Sequence, residues 1–445
     1  MRRPCKASSI TGLPRNFFAS TSQGRLLRGV VANVYDKASV ILVQLFSIPV
    51  LTTAWGVEGY GVWLVILTIP TYIALADIGL GAAAGVVLTR HIVGRDYEGA
   101  LRTLHSSCVL LLVSSCFFSA LIIGISNWYL SGGHLVGGYD QGEVMLTVVA
   151  IAGYSMTLVQ MNILIQVFRS TLRFAYAMVF SGSVIIVEGV TLLSVALFGY
   201  GPAMAGWAMF ACRVASYIVF LLILQRRERW VVLGISHANC ATIKALAMPS
   251  LAALASTLAT AASLQGMTLV LAATTNAPVV AAFGAARTLS RVPLQLAGIF
   301  LRPALVEVTR AVAENNVRLQ NKLVFANVTV SLLVTLPFGM LLIYFGSYAM
   351  QVLSNSQLEG AQSLFIPLAC AATFNSLWAS LTLPLAASNK YATYSYLYLI
   401  FSLFSIALFI IGPWQSAAVA ATYGMISEGL MLIYILARIS TKGFR

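Results

Sequence analysis

The chain has 445 residues, 59% of them hydrophobic and only 9% charged, with a mean hydropathy of +0.88. That is too little charge to cover a soluble domain, so the lipid bilayer must be the solvent. The formal net charge of +14 would suit nucleic acid, but the chain holds neither a soluble basic face nor a recognisable binding module, which excludes that partner.

Residues 1–28 carry six cations, several serines and no acid, with no apolar stretch of their own. They are expected to form a disordered cytoplasmic tail rather than a cleaved signal peptide. Twelve apolar runs follow, at roughly 31–54, 60–88, 104–127, 144–168, 176–198, 202–224, 246–273, 278–300, 323–345, 361–386, 394–412 and 416–437. Each can cross a bilayer. The odd-numbered connections, 55–59, 128–143, 199–201, 274–277, 346–360 and 413–415, hold no Lys or Arg. The even-numbered connections and the two ends hold 23 of the 27 cations, so the positive-inside rule places both termini in the cytoplasm. One missed or invented span would swap the sides of every later loop, so the asymmetry also supports an even count.

The fold class expected is an all-α polytopic membrane protein with about twelve spans in two pseudo-symmetric six-helix bundles around a central cavity. The bundles are residues 29–224 and 246–437, joined by a basic cytoplasmic linker at 225–245 and followed by a tail at 438–445. A faint repeat supports the halves. The second span begins Glu58-Gly-Tyr-Gly-Val-Trp63 and the eighth begins Ala281-Ala-Phe-Gly-Ala-Ala286.

Four cations (Lys37, Arg213, Arg287, Arg291) and four acids (Asp36, Asp77, Glu188, Glu428) fall inside the spans. A charge at the bilayer centre costs about 2.5–3.5 kcal/mol or more, so such groups face a cavity or a partner. Arg287, Arg291 and Gln295 are spaced i, i+4, i+8 and share one helical face. At 1.5 Å per residue the arginines lie roughly 14 and 20 Å into the eighth span, at mid-depth. Two guanidiniums one turn apart suit a phosphate or sugar acid, and pairing with Glu188 or Glu428 is the alternative. Arg213 suits substrate binding and ion pairing equally. Asp36 and Lys37 lie near the cytoplasmic interface. Asp77 suits a coupling proton, a cytoplasmic gate or a pair with Lys37. Glu188 and Glu428 suit a proton relay, or bonds to a neighbouring helix. Gln160 and Gln265 are candidate sugar contacts, with interhelical bonding as the alternative.

The four histidines are scattered, and there is no HExxH or Walker A sequence. The six cysteines show no CxxC spacing. The chain is therefore expected not to be an enzyme and to need no cofactor or metal, which leaves ion-coupled or downhill transport.

At Glu58-Gly-Tyr-Gly-Val-Trp63, followed by Leu75-Ala-Asp-Ile-Gly-Leu-Gly81, the chain resembles the O-antigen flippase (Wzx-type) polysaccharide exporters of the multidrug/oligosaccharidyl-lipid/polysaccharide exporter superfamily. Gly24-Arg-Leu-Leu-Arg28 before a first helix ending in Pro49-Val-Leu51 is similar too. The resemblance implies a bacterial inner-membrane flippase moving an undecaprenyl-pyrophosphate-linked oligosaccharide to the periplasmic leaflet by alternating access. Arg287, Arg291 and Arg213 would then meet the pyrophosphate or acidic sugars. Membrane lipids, a coupling proton or sodium ion, and glycan polymerase machinery are the partners implied. An ion-coupled multidrug/cation antiporter of the same superfamily is the alternative, which the four intramembrane acids keep open.

Overall fold

The computed structural model describes residues 22–77, 80–132, 138–171, 173–232, 234–244, 258–259, 261–314, 316–358, 362–388, 392–413 and 416–442. Every regular element among them is helical, as a bilayer demands of backbone that must satisfy its own polar groups. Nine helices among the described residues are long and apolar enough to cross a membrane. Of the tail expected at 1–28, residues 1–21 lie outside the described residues, as do most of the first half of the seventh span and residues 443–445, while Ser22–Arg28 are not a disordered tail but the first turns of a helix.

The first two spans depart from expectation. Helix α1, Ser22–Ile66, runs through both, and the outer loop expected at 55–59 is a kink at Gly56, with φ 72° and ψ 175°. Only glycine adopts that conformation without a steric cost, so one residue replaces a loop. The second span then breaks. Pro70 opens the short helix α2, Ile69–Ile73, a 3-10 turn occupies Ala74–Asp77, and α3 spans Leu80–Val93. Proline lacks the N–H that a continuous helix needs here. Asp77 Oδ1 accepts from Gly81 N at 2.6 Å, so the carboxylate caps α3 in the manner of a helix N-terminus.

The rest of the first half is regular: α4 Tyr97–Ser131, α5 Gln141–Ser170, α6 Phe174–Leu197 and α7 Pro202–Arg227. Asp96 and Asp140 cap α4 and α5 by accepting from Gly99 N and Gly142 N. The Gly99 N–H, followed by His91, holds the Asp96 carboxyl below the usual carboxylate range. The segment after α7 docks on the N-terminal part of α4. His105 Nε2 donates to Val232 O at 2.8 Å, while its Nδ1 accepts from His237 N at 3.3 Å. Asn239 N donates to Ser106 Oγ at 3.1 Å, and Arg173 pairs with Glu228 at 3.7 Å. The linker is thus seated on the first half.

In the second half, a π-turn at Ala262–Gly266 precedes α8, Met267–Thr274. Then come α9 Ala277–Ala313, α10 Val317–Leu353, α11 Phe365–Leu381, α12 Leu383–Ala387, α13 Ala392–Ile411 and α14 Ala417–Lys442. The tenth span divides at Thr382, where Pro384 starts α12.

The halves meet chiefly where α1 packs on α9. The two glycines of the repeat lie in this seam: a Cβ at Gly61 would overlap the Ala277 carbonyl, and one at Gly284 would overlap Leu64. Each glycine therefore admits the other half of the molecule. Asn355 Nδ2 adds a bond from α10's C-terminal end to Thr53 Oγ1 of α1 at 2.9 Å.

Candidate functional site

Helix α9 carries the cationic stripe. By helical rise, Arg287 and Arg291 lie about 15 and 21 Å along it from Ala277. Both side chains are half-buried, as is Gln295 one turn further on. The opposite face of α9 is closed by Ala281, Ala285 and Ala286, none of them exposed, so the small residues bring neighbouring helices close and fix the stripe toward the interior.

Arg287 Nη2 donates to Gln265 Oε1 at 3.1 Å, and its guanidinium lies 5.6 Å from the Phe283 ring. Since arginine has only donors, the Gln265 oxygen must face it, which turns the amide nitrogen toward Thr71 of α2. Gln265 Nε2 indeed donates to Thr71 Oγ1 at 3.3 Å. Gln265 sits in the π-turn, whose extra residue per turn shifts the helix register. Gln295 Nε2 donates across the seam to Gln44 Oε1 of α1 at 3.0 Å, while Gln295 Oε1 is buried with no partner among the described residues. Arg291 belongs to none of the five ion pairs formed by the described residues. Tyr398 and Glu428 lie within its electrostatic reach.

The intramembrane acids are all engaged. Glu188 of α6 is 3% exposed and pairs with Arg213 of α7 at 2.5 Å. Tyr154 of α5 completes this triad, donating to Glu188 Oε2 at 3.1 Å and accepting from Arg213 Nη2 at 2.7 Å. The Arg213 guanidinium also lies 4.8 Å from the Tyr154 ring. Arg213 is thereby committed within the first half and stands apart from Arg287 and Arg291, which lie on α9. Asp36 pairs with Lys37 at 3.4 Å, so Lys37 is held by its neighbour instead of Asp77, which caps α3. Gln160 Nε2 donates to Cys108 O at 3.3 Å and ties α5 to α4.

Glu428 of α14 occupies a different environment. Its Oε1 accepts from Ser263 Oγ at 3.0 Å and from Tyr398 OH at 2.7 Å. Its Oε2 accepts from Asn375 Nδ2 at 3.0 Å and Trp378 Nε1 at 2.7 Å. Ser263 belongs to the same π-turn as Gln265, so one irregular turn reaches both the Arg287 stripe and the Glu428 cage. The sequence reading singled out neither Tyr154, Tyr398, Ser263 nor Thr71. A tyrosine well inside a span, away from the interfacial belts, is the signal that would have pointed to Tyr154, whereas Tyr398 lies near the start of its span.

No family model and no curated protein matches this sequence. Solved structures do match in fold. One is an inward-facing conformation of a multidrug resistance MATE family transporter of the MOP superfamily, 17% identical, with a TM-score of 0.64 over 90% of this chain and 98% of that one. An outward-facing conformation of such a transporter is 13% identical, with a TM-score of 0.60 over 96% and 97% of the two chains. The eukaryotic MATE transporter AtDTX14 is 15% identical, with a TM-score of 0.67 over 93% and 95%. The chain therefore has a MATE-like, all-helical membrane fold.

Proposed function

We propose that this multi-pass membrane protein is an alternating-access transporter for an anionic lipid-linked oligosaccharide. It would carry an undecaprenyl-pyrophosphate-linked repeat unit from the cytoplasmic to the periplasmic leaflet of a bacterial inner membrane, with both termini cytoplasmic. The single observation behind this reading is the sign of the interior charge. Arg287 and Arg291 share one half-buried face at mid-depth, while each described intramembrane acid is occupied by a cation, a helix N-terminus or a set of hydrogen-bond donors. A pyrophosphate presents pairs of acceptor oxygens that the planar fork of arginine meets bidentately. The glutamines beside the stripe supply neutral donors and acceptors of the kind sugar hydroxyls need.

Glu428 is the acid best placed to couple transport to protons. Its Oε1, Ser263 Oγ and Tyr398 OH form a ring with contacts of 3.0, 2.7 and 2.5 Å. With a carboxylate, two hydroxyl protons serve three contacts; protonation of Oε1 supplies the third. Glu188 is fixed by Arg213, and Asp77 and Asp36 serve as positioning or gating groups near the break in the second span and the start of the first.

The second reading, an ion-coupled multidrug antiporter, is favoured by the multidrug transporters among the matching structures. It requires an acid for a cationic compound, a part that Glu428, whose hydrogen-bond donors are all neutral, would have to take. Binding to the protein in nanodiscs separates the two. Farnesyl pyrophosphate is expected to bind and to be competed by inorganic pyrophosphate, while ethidium is expected not to bind. Ethidium binding that pyrophosphate leaves untouched would favour the antiporter instead.

A further inference from the structure

The bond from Gln265 to Thr71 crosses from one half of the molecule to the other, directly beside Arg287. Its two ends belong to irregular elements, a π-turn and a short helix within a broken span, so both can yield without unwinding a long helix. The amide uses both of its functions at once: the carbonyl takes Arg287, and the nitrogen holds the opposite half.

We propose that Gln265 is a substrate-sensing latch: an anion that takes Arg287 displaces the Gln265 carbonyl and so releases the Thr71 hydroxyl, one of the side-chain bonds between the two halves. This rests on the reading of Arg287 as an anion site and adds the means by which occupancy reaches the seam. The anion competes for Arg287 because a charge-assisted bond is stronger than one to a neutral amide. Freed from the guanidinium, the amide loses the restraint that fixes its rotation, and the bond to Thr71 weakens with it. Further along the stripe Gln295 also bonds across the halves, to Gln44. Ser263, on the same turn as Gln265, carries the movement into the Glu428 cage.

In this scheme the latch opposes binding, because part of the binding free energy is spent opening it. The two arms can therefore be separated by sign. Thr71→Val removes only the cross-seam bond and should tighten farnesyl pyrophosphate binding by about two- to tenfold, the equivalent of one net hydrogen bond. In Gln265→Glu the Thr71 hydroxyl can donate to the new carboxylate, which also pairs with Arg287, so binding should weaken. Thr71→Ser keeps the hydroxyl and should match the parent.

The test uses full-length protein in nanodiscs, with spin labels at Glu98→Cys and Val317→Cys on exposed cytoplasmic helix ends and the native cysteines replaced. Distance distributions should shift on adding farnesyl pyrophosphate to the parent. Thr71→Val should show part of that shift without ligand. Ligand-free distributions and affinities identical in the parent and Thr71→Val would overturn the latch. If farnesyl pyrophosphate does not bind the parent, the anion-site reading fails, while the ligand-free comparison still decides whether Thr71 holds the halves together.

Discussion

Replacing Glu188 alone with leucine is expected to destabilise the protein by about 3–5 kcal/mol, because it leaves the Arg213 guanidinium buried without its counter-ion. Both groups are nearly inaccessible, with Glu188 3% and Arg213 6% exposed. Glu188 Oε1 and Arg213 Nε have no partner among the described residues, so the pair has little reserve to draw on. Restoring an apolar match with Glu188→Leu and Arg213→Met together should recover most of the loss, since a buried pair often does no better than well-packed apolar residues. The magnitude decides the nature of the contact. Interhelical hydrogen bonds in membranes average about 0.6 kcal/mol, so a single-mutant loss below about 2 kcal/mol would mark an ordinary polar contact. Reversible unfolding of the two single mutants and the double mutant measures this directly, and additive losses would refute a charge pair.

Arg287→Ala with Arg291→Ala should behave in the opposite way, losing ligand without losing stability. Charge-assisted hydrogen bonds are worth about 1.5–3 kcal/mol each, so removing one from each arginine predicts a fall in pyrophosphate affinity of about 10²- to 10⁴-fold. The fold should not suffer. Two like charges one helical turn apart repel each other, and α9 keeps its alanine face against its neighbours. Thermal melting equal to or above that of the parent is therefore expected alongside the lost affinity. Lysine at both positions retains the charge but not the planar fork, and should give an intermediate loss. Collapse of the melting temperature in the alanine pair would instead assign the arginines to helix packing.

Some features were legible in the sequence because they depend on period and sign. The cation-free odd loops placed the spans, and the spacing of Arg287, Arg291 and Gln295 placed them on one face of α9. The departures arise where one residue changes the backbone. Gly56 turns a loop into a kink, Pro70 and the Asp77 cap divide the second span, and the π-turn at Ala262–Gly266 aims Ser263 and Gln265 at different partners. No periodic pattern encodes these. Pairing between helices was also out of reach, because it depends on how each helix is rotated about its axis. Glu188 was a candidate partner for Arg287 or Arg291, and Arg213 had no named acid; only the packing of α6 against α7 joins the two. In the same way, Lys37 was compatible with Asp77 until the latter was seen to cap α3. The repeat glycines were visible as a motif, yet their use in the seam between α1 and α9 appears only when both halves are present.

The most direct measurement is leaflet exchange of a fluorescent polyprenyl-pyrophosphate-linked oligosaccharide in proteoliposomes, read by quenching of the outer-leaflet label. The parent protein should move the lipid-linked glycan, and the Arg287→Ala, Arg291→Ala protein, inserted to the same level, should leave it where it was loaded. Equal rates in the two proteins would contradict an arginine-lined path for an anionic substrate.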